Sequence, residues 1–209
     1  EREGRFDESL IVIASDHGQS STHTHFSVDE FIAERVGKTM IYKRFVTNVR
    51  GAEAVVLHSG NGMANVWFKG AGWTAGRPDL SRQPYAKLIE ELLEQREIDV
   101  LSWRKADGAI RVVSRRGAAE IVELGDSRMR YTVEGSDPFG YEGVEGELSF
   151  EEILDKTFDH DYPDGPVALA THLRSKRAGD LIVTSLPGFD LRTWWEYQEP
   201  HSTHGAIHE

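Results

Sequence analysis

Apolar residues fall along this chain in two kinds of pattern. Leu10-Ile11-Val12-Ile13-Ala14 places five apolar positions in a row and reads as a strand buried on both faces, the habit of a parallel sheet. Leu181-Ile182-Val183, after Gly179-Asp180, is a second run of the same kind. Between them the runs are shorter. Ala54-Val55-Val56-Leu57 and Met63 to Phe68 are strand pieces, and the loop His58-Ser59-Gly60-Asn61-Gly62 that joins them has hairpin-turn chemistry. Leu88, Ile89, Leu92 and Leu93 form the stripe of an amphipathic helix over Pro84 to Arg96. Ile98 to Trp103, Ala109 to Val113 and Ala119 to Leu124 then follow as three strands of an antiparallel meander, separated by glycine-bearing turns. Ser27-Val28-Asp29-Glu30 predicts a capping box ahead of a short helix at Phe31 to Arg35, and two more helical stretches are expected at Phe150 to Asp155 and Pro166 to Leu173.

These elements predict an α/β fold, with a parallel-type sheet core and a small α+β subdomain inserted into it. The expected boundaries are 1–51 for the first core segment, 52–135 for the insertion and 136–209 for the return to the core.

The chemistry sits where the long apolar runs end. Ser15-Asp16-His17-Gly18 follows the first run directly, and ligands of parallel sheets bind beyond the carboxyl ends of strands. Adjacent side chains on a strand point to opposite faces, but Gly18 frees the backbone so that Asp16 and His17 can converge on one ion. Shortly after the Leu181 run comes Pro200-His201-Ser202-Thr203-His204-Gly205-Ala206-Ile207-His208, which holds three of the nine histidines. With no cysteine, the available metal ligands are His, Asp and Glu, a set that suits a hydrolytic zinc or manganese site. His23 and His25 alternate as two ligands on one face of an extended segment do, although a plain polar loop is the simpler reading.

Ser15-Asp16-His17-Gly18 and Ser202-Thr203-His204-Gly205 together resemble the alkaline phosphatase superfamily, within it the type I phosphodiesterase/nucleotide pyrophosphatase branch. Gly179-Asp180-Leu181-Ile182-Val183 looks like the strand that precedes the late His-Gly motif. The resemblance implies an alkaline phosphatase-like core with residues 52–135 as a cap over the site, and a hydrolase of phosphodiesters or nucleotide pyrophosphates. It implies two divalent metal ions, zinc with manganese as the alternative: Asp16 and His17 hold the one that activates a Thr or Ser nucleophile, His204 the one that activates water. Beside the ligands, His23, His25, His201 and His208 are candidates for hydrogen bonds around the metals or to substrate, although the family motif does not call for His23 and His25. Phosphomonoesterases, sulfatases and phosphosugar mutases of the same superfamily share this metal site.

The family pattern places its nucleophile and a further metal-binding Asp upstream of Asp-His-Gly, and an additional Asp and His between them. Glu1 to Glu8 holds no His or Thr, and no Asp-x-x-Gly-His spacing occurs downstream. The expectation is therefore a C-terminal portion of a longer enzyme, inactive by itself. The alternatives are a catalytically inactive binding module and a small β-barrel oxygenase using His23, His25 and the terminal histidines, which the helix at Pro84 to Arg96 opposes.

A net charge of −11 disfavours duplex nucleic acid, whose binding rests on many Lys and Arg contacts to phosphate. It leaves room for a phosphorylated small molecule, because two divalent ions reverse the local field at a concave site. No run reaches the roughly 18 apolar residues of a membrane span, and no targeting region is visible at the start of the sequence, which leaves the compartment open.

Overall fold

A computed structural model describes residues 9–41, 51–192 and 201–208. In chain order the elements are β1 (Ser20–His25), α1 (Val28–Val36), β2 (Thr39–Ile41), β3 (Ala54–Ser59), β4 (Met63–Phe68), α2 (Tyr85–Leu93), β5 (Ile98–Arg104), β6 (Ile110–Ser114), β7 (Ala118–Gly125) and β8 (Arg128–Glu134). They continue with β9 (Gly146–Ser149), α3 (Phe150–Thr157), α4 (Gly165–Arg174), β10 (Leu181–Ser185), β11 (Gly188–Asp190) and β12 (His201–Thr203).

Most strands join one nine-stranded sheet, ordered β2-β3-β4-β10-β5-β6-β7-β8-β9. The mixed α/β composition agrees with expectation, but the sheet is antiparallel throughout except for the β2–β3 edge. Short hairpins make β3–β4 and the β5–β8 meander antiparallel. Strands β4 and β5 both run antiparallel to β10, so they run parallel to each other with a slot between them, and α2 carries the chain across. Strand β10 fills that slot from far along the sequence, pairing Leu181 with Val66 and Ile182 with Ser102.

Strand β10 is buried along its whole length, as its apolar run predicts. Leu181 and Val183 pack among Val28, Ile32, Leu88 and Leu92 of α1 and α2, while Ile182 packs with Ile153, Leu169 and Leu173 of α3 and α4. Burial on both faces therefore comes from a helix layer on each side of the sheet, and strand direction is set independently by the connections. Each of these side chains contributes about 1.5–3 kcal/mol through burial. Residues 52–135 supply β3 through β8, and β2, β9 and β10 from outside that range complete the same sheet.

The run Leu10 to Ala14 departs from expectation. It forms no strand, and Leu10, Ile11, Val12 and Ile13 are 90%, 59%, 75% and 94% exposed. Among the described residues no strand pairs with it, so neither apolar face is covered.

A second, three-stranded sheet, ordered β11-β1-β12, carries the histidine-rich segments. Strand β1 runs parallel to β11 and antiparallel to β12. Helix α1 forms where predicted, but the Ser27 side chain makes no capping bond; the capping box occurs instead at Ser149 and Glu152 of α3.

Candidate functional site

Ser15 to Gly18 is a local bend held by its own polar groups. The Ser15 hydroxyl donates to the His17 carbonyl at 2.7 Å, and the His17 backbone N–H donates to Asp16 Oδ1 at 3.1 Å. His17 Nδ1 lies 2.8 Å from the Gly18 carbonyl. A carbonyl only accepts, so the proton of this contact sits on Nδ1, which leaves Nε2 as the ring atom available to a metal. That Nε2 is 3.4 Å from Asp16 Oδ2.

The second motif arrives on β12. Ser20 pairs with Thr203, which sets the end of β12 beside the start of β1, and the Ser202 hydroxyl donates to Gln19 Oε1 at 2.9 Å. The His17 and His204 rings then stack, with centroids 3.6 Å apart and planes 12° from parallel. A cavity of about 420 Å³ opens at this junction, lined by His17, Ser20, Thr203, His204 and His208 among others. Both ring nitrogens of His208 are buried without a hydrogen-bond partner among the described residues.

The other expected contacts lie elsewhere. His23 and His25 do not line the cavity. The His23 ring meets Thr24 Oγ1 at 3.0 Å and the edge of Phe189. His25 Nδ1 lies 2.9 Å from Asp190, which is fully buried and also paired with Arg192 at 2.7 Å. His201 contributes its backbone to β12, opposite Thr22. The aromatic run Trp194 to Tyr197 lies outside the described residues. Gly135 to Tyr141 wraps the buried Asp137 carboxylate, which accepts from the Tyr131 hydroxyl at 2.8 Å and from the backbone N–H groups of Phe139 and Gly140.

Sequence reasoning passed over the turn Gly60-Asn61-Gly62 as a plain hairpin. It is one, yet it also touches the site: the His204 N–H donates to the Gly60 carbonyl at 2.9 Å, and the Gly62 N–H donates to the His204 carbonyl at 2.9 Å. Beside it His58 is half-buried, and loss of solvent around its ring pushes the imidazole pKa down to about 4 against the opposing pull of Asp190 and of a backbone hydrogen bond to Leu191. A cluster of two glycines and an Asn at the tip of a strand pair was the signal available in the sequence.

The sequence model of the type I phosphodiesterase / nucleotide pyrophosphatase family matches residues 1–207. The chain belongs to this family. No curated protein and no solved structure matches it. Membership makes the chain part of a hydrolase family acting on phosphorylated small molecules, and no described helix is long and apolar enough to cross a membrane.

The donor atoms are those a zinc-type ion takes. Ligands of a tetrahedral zinc with bonds of about 2.0–2.1 Å stand about 3.3–3.4 Å apart, which is the separation of His17 Nε2 and Asp16 Oδ2. The donor count is smaller than a complete shell: among the described residues no three His, Asp or Glu side chains converge on one point.

Proposed function

We propose that this chain contributes part of a two-metal centre to a phosphodiesterase or nucleotide pyrophosphatase, with the nucleophile and the remaining ligands supplied by polypeptide outside it. The observation that carries the proposal is the meeting of the two motifs from opposite ends of the sequence, His17 stacked on His204 at the mouth of one cavity. Asp16 and His17 would hold one ion, and His204 the other. Such a pair would supply neutralisation of charge on the phosphoryl oxygens and activation of the attacking oxygen. The residues of the chain orient and receive: the Gly18 carbonyl holds the His17 tautomer, and β12 fixes His204 beside it. His208, whose two ring nitrogens in the cavity wall have no hydrogen-bond partner among the described residues, offers a hydrogen bond to a phosphate oxygen. The exposed Leu10 to Ile13 run supports a larger assembly, because four solvated apolar side chains ahead of the site gain by burial under further strands.

In this reading the family fold applies as well, with an alkaline phosphatase-like core completed around Leu10 to Ala14 and the nine-stranded sheet, to which residues 52–135 contribute β3 through β8, serving as the cap over the metals. The test is intact mass, metal content and hydrolysis of bis(p-nitrophenyl) phosphate, measured on the protein as its source makes it. A species heavier than this chain, with about two zinc or manganese ions and activity abolished by His17→Ala and by His204→Ala, is the expected result. Activity unaffected by either substitution, or by complete removal of metal, overturns the proposal.

A further inference from the structure

The β3–β4 turn belongs to the large sheet, yet its tip is bonded to the late histidine motif. The backbone of Gly60 and Gly62 brackets His204 through the two hydrogen bonds already described, and the Thr203 hydroxyl donates to the same Gly60 carbonyl at 2.7 Å. Asn61 and His204 form an isolated parallel bridge. The turn is itself anchored from behind, because the Leu191 N–H donates to the Asn61 carbonyl at 2.8 Å and the Ser185 N–H to the Gly62 carbonyl at 3.0 Å. The fit leaves no space for a side chain. A Cβ on Gly60 would stand 2.4 Å from His204 Nδ1 and 2.4 Å from its carbonyl oxygen, and one on Gly62 would stand 2.7 Å from that oxygen. The contact is reciprocal, since a Cβ on Gly205 would meet the Ser59 carbonyl at 2.4 Å.

We propose that the Gly60-Asn61-Gly62 turn is the positioning element for His204, holding its ring against His17 and towards the cavity. The functional meaning of that role rests on the metal reading of His204 given above. A turn present only to reverse the chain has no need of glycine against the ring. Gly60 has φ +62, so its glycine also serves the backbone, whereas no left-handed φ requires glycine at Gly62. Contact with His204 is thus one of two reasons for glycine at position 60; at position 62 the reason is contact alone, with the His204 carbonyl and with Ala206 two residues on.

Three variants, made in the protein as its source produces it, separate contact from backbone strain. Gly60→Ala adds both, and Gly62→Ala adds contact without left-handed strain. Gly108→Ala, in the β5–β6 turn at φ +91 with nothing within 4 Å of its Cβ, adds strain alone. The readouts are the His17–His204 inter-ring NMR contacts, zinc affinity and the thermal midpoint. The expected result is loss of the ring contacts in Gly60→Ala and Gly62→Ala, with zinc affinity down about 10- to 100-fold, while Gly108→Ala keeps both and loses only thermal stability. Ring contacts retained in folded Gly62→Ala, absent in the wild type, or lost equally in Gly108→Ala overturn the proposal. Wild type that takes up no zinc, yet loses its ring contacts in Gly62→Ala, sinks the metal reading of His204 and upholds the positioning role.

Discussion

His58 makes acid stability a direct reading of the junction between the two sheets. Its imidazole is held at a pKa of about 4, against 6.5 in the unfolded chain, chiefly because burial disfavours the charged ring. Between those values the unfolded state binds more protons than the folded state, so stability rises with pH across this window. The contribution is complete above pH 6.5, falls as the pH drops and is fully lost near pH 4. Each pKa unit is worth 1.36 kcal/mol, so His58 alone accounts for about 3 kcal/mol over the window, of which about 2 kcal/mol is gone by pH 5. His58→Gln removes the titrating group while keeping a polar side chain of similar reach. The assay is urea unfolding of wild type and variant at intervals from pH 7 to pH 4, where carboxylates common to both proteins cancel in the difference. The wild type is expected to lose about 2 to 3 kcal/mol more than the variant. Parallel stability curves would refute the reasoning and mean that the His58 ring is hydrated or free to swing out on protonation.

Three further outcomes follow from other contacts. Asp190→Ala leaves Arg192 buried without its carboxylate and frees His25, and is expected to cost about 3–5 kcal/mol in chemical unfolding. Ile182→Ala opens a cavity between β10 and the α3/α4 layer, at a cost of about 2–5 kcal/mol in the same assay. His208→Leu removes two orphaned ring nitrogens, whose burial costs about 1–3 kcal/mol; metal-free protein is expected to melt at the same temperature or higher, while hydrolysis by the native enzyme falls.

Local pattern determined a good deal of this protein. The stripe of Leu88, Ile89 and Leu92 places α2, the alternation from Ile98 onward places the meander, and two short motifs name the family and the imidazoles that face one another. Periodicity reports how much of each residue is buried, and that much survived: Leu181 to Val183 is covered on both faces. It carries no record of the partner. Strand β10 could be read as buried but not as antiparallel between β4 and β5, because the unsatisfied backbone groups it pairs with belong to strands far away in sequence. The same limit applies to Leu10 to Ala14, whose pattern asks for cover that the described residues do not provide. His23 and His25 alternate correctly for one face of a strand, but pairing with β11 turns His25 to Asp190, and neither ring lines the cavity. The grip of Gly60 and Gly62 on His204 is likewise tertiary. A hairpin turn has one sequence signature whether its tip meets water or a functional side chain, and only the docking of the two sheets decides which.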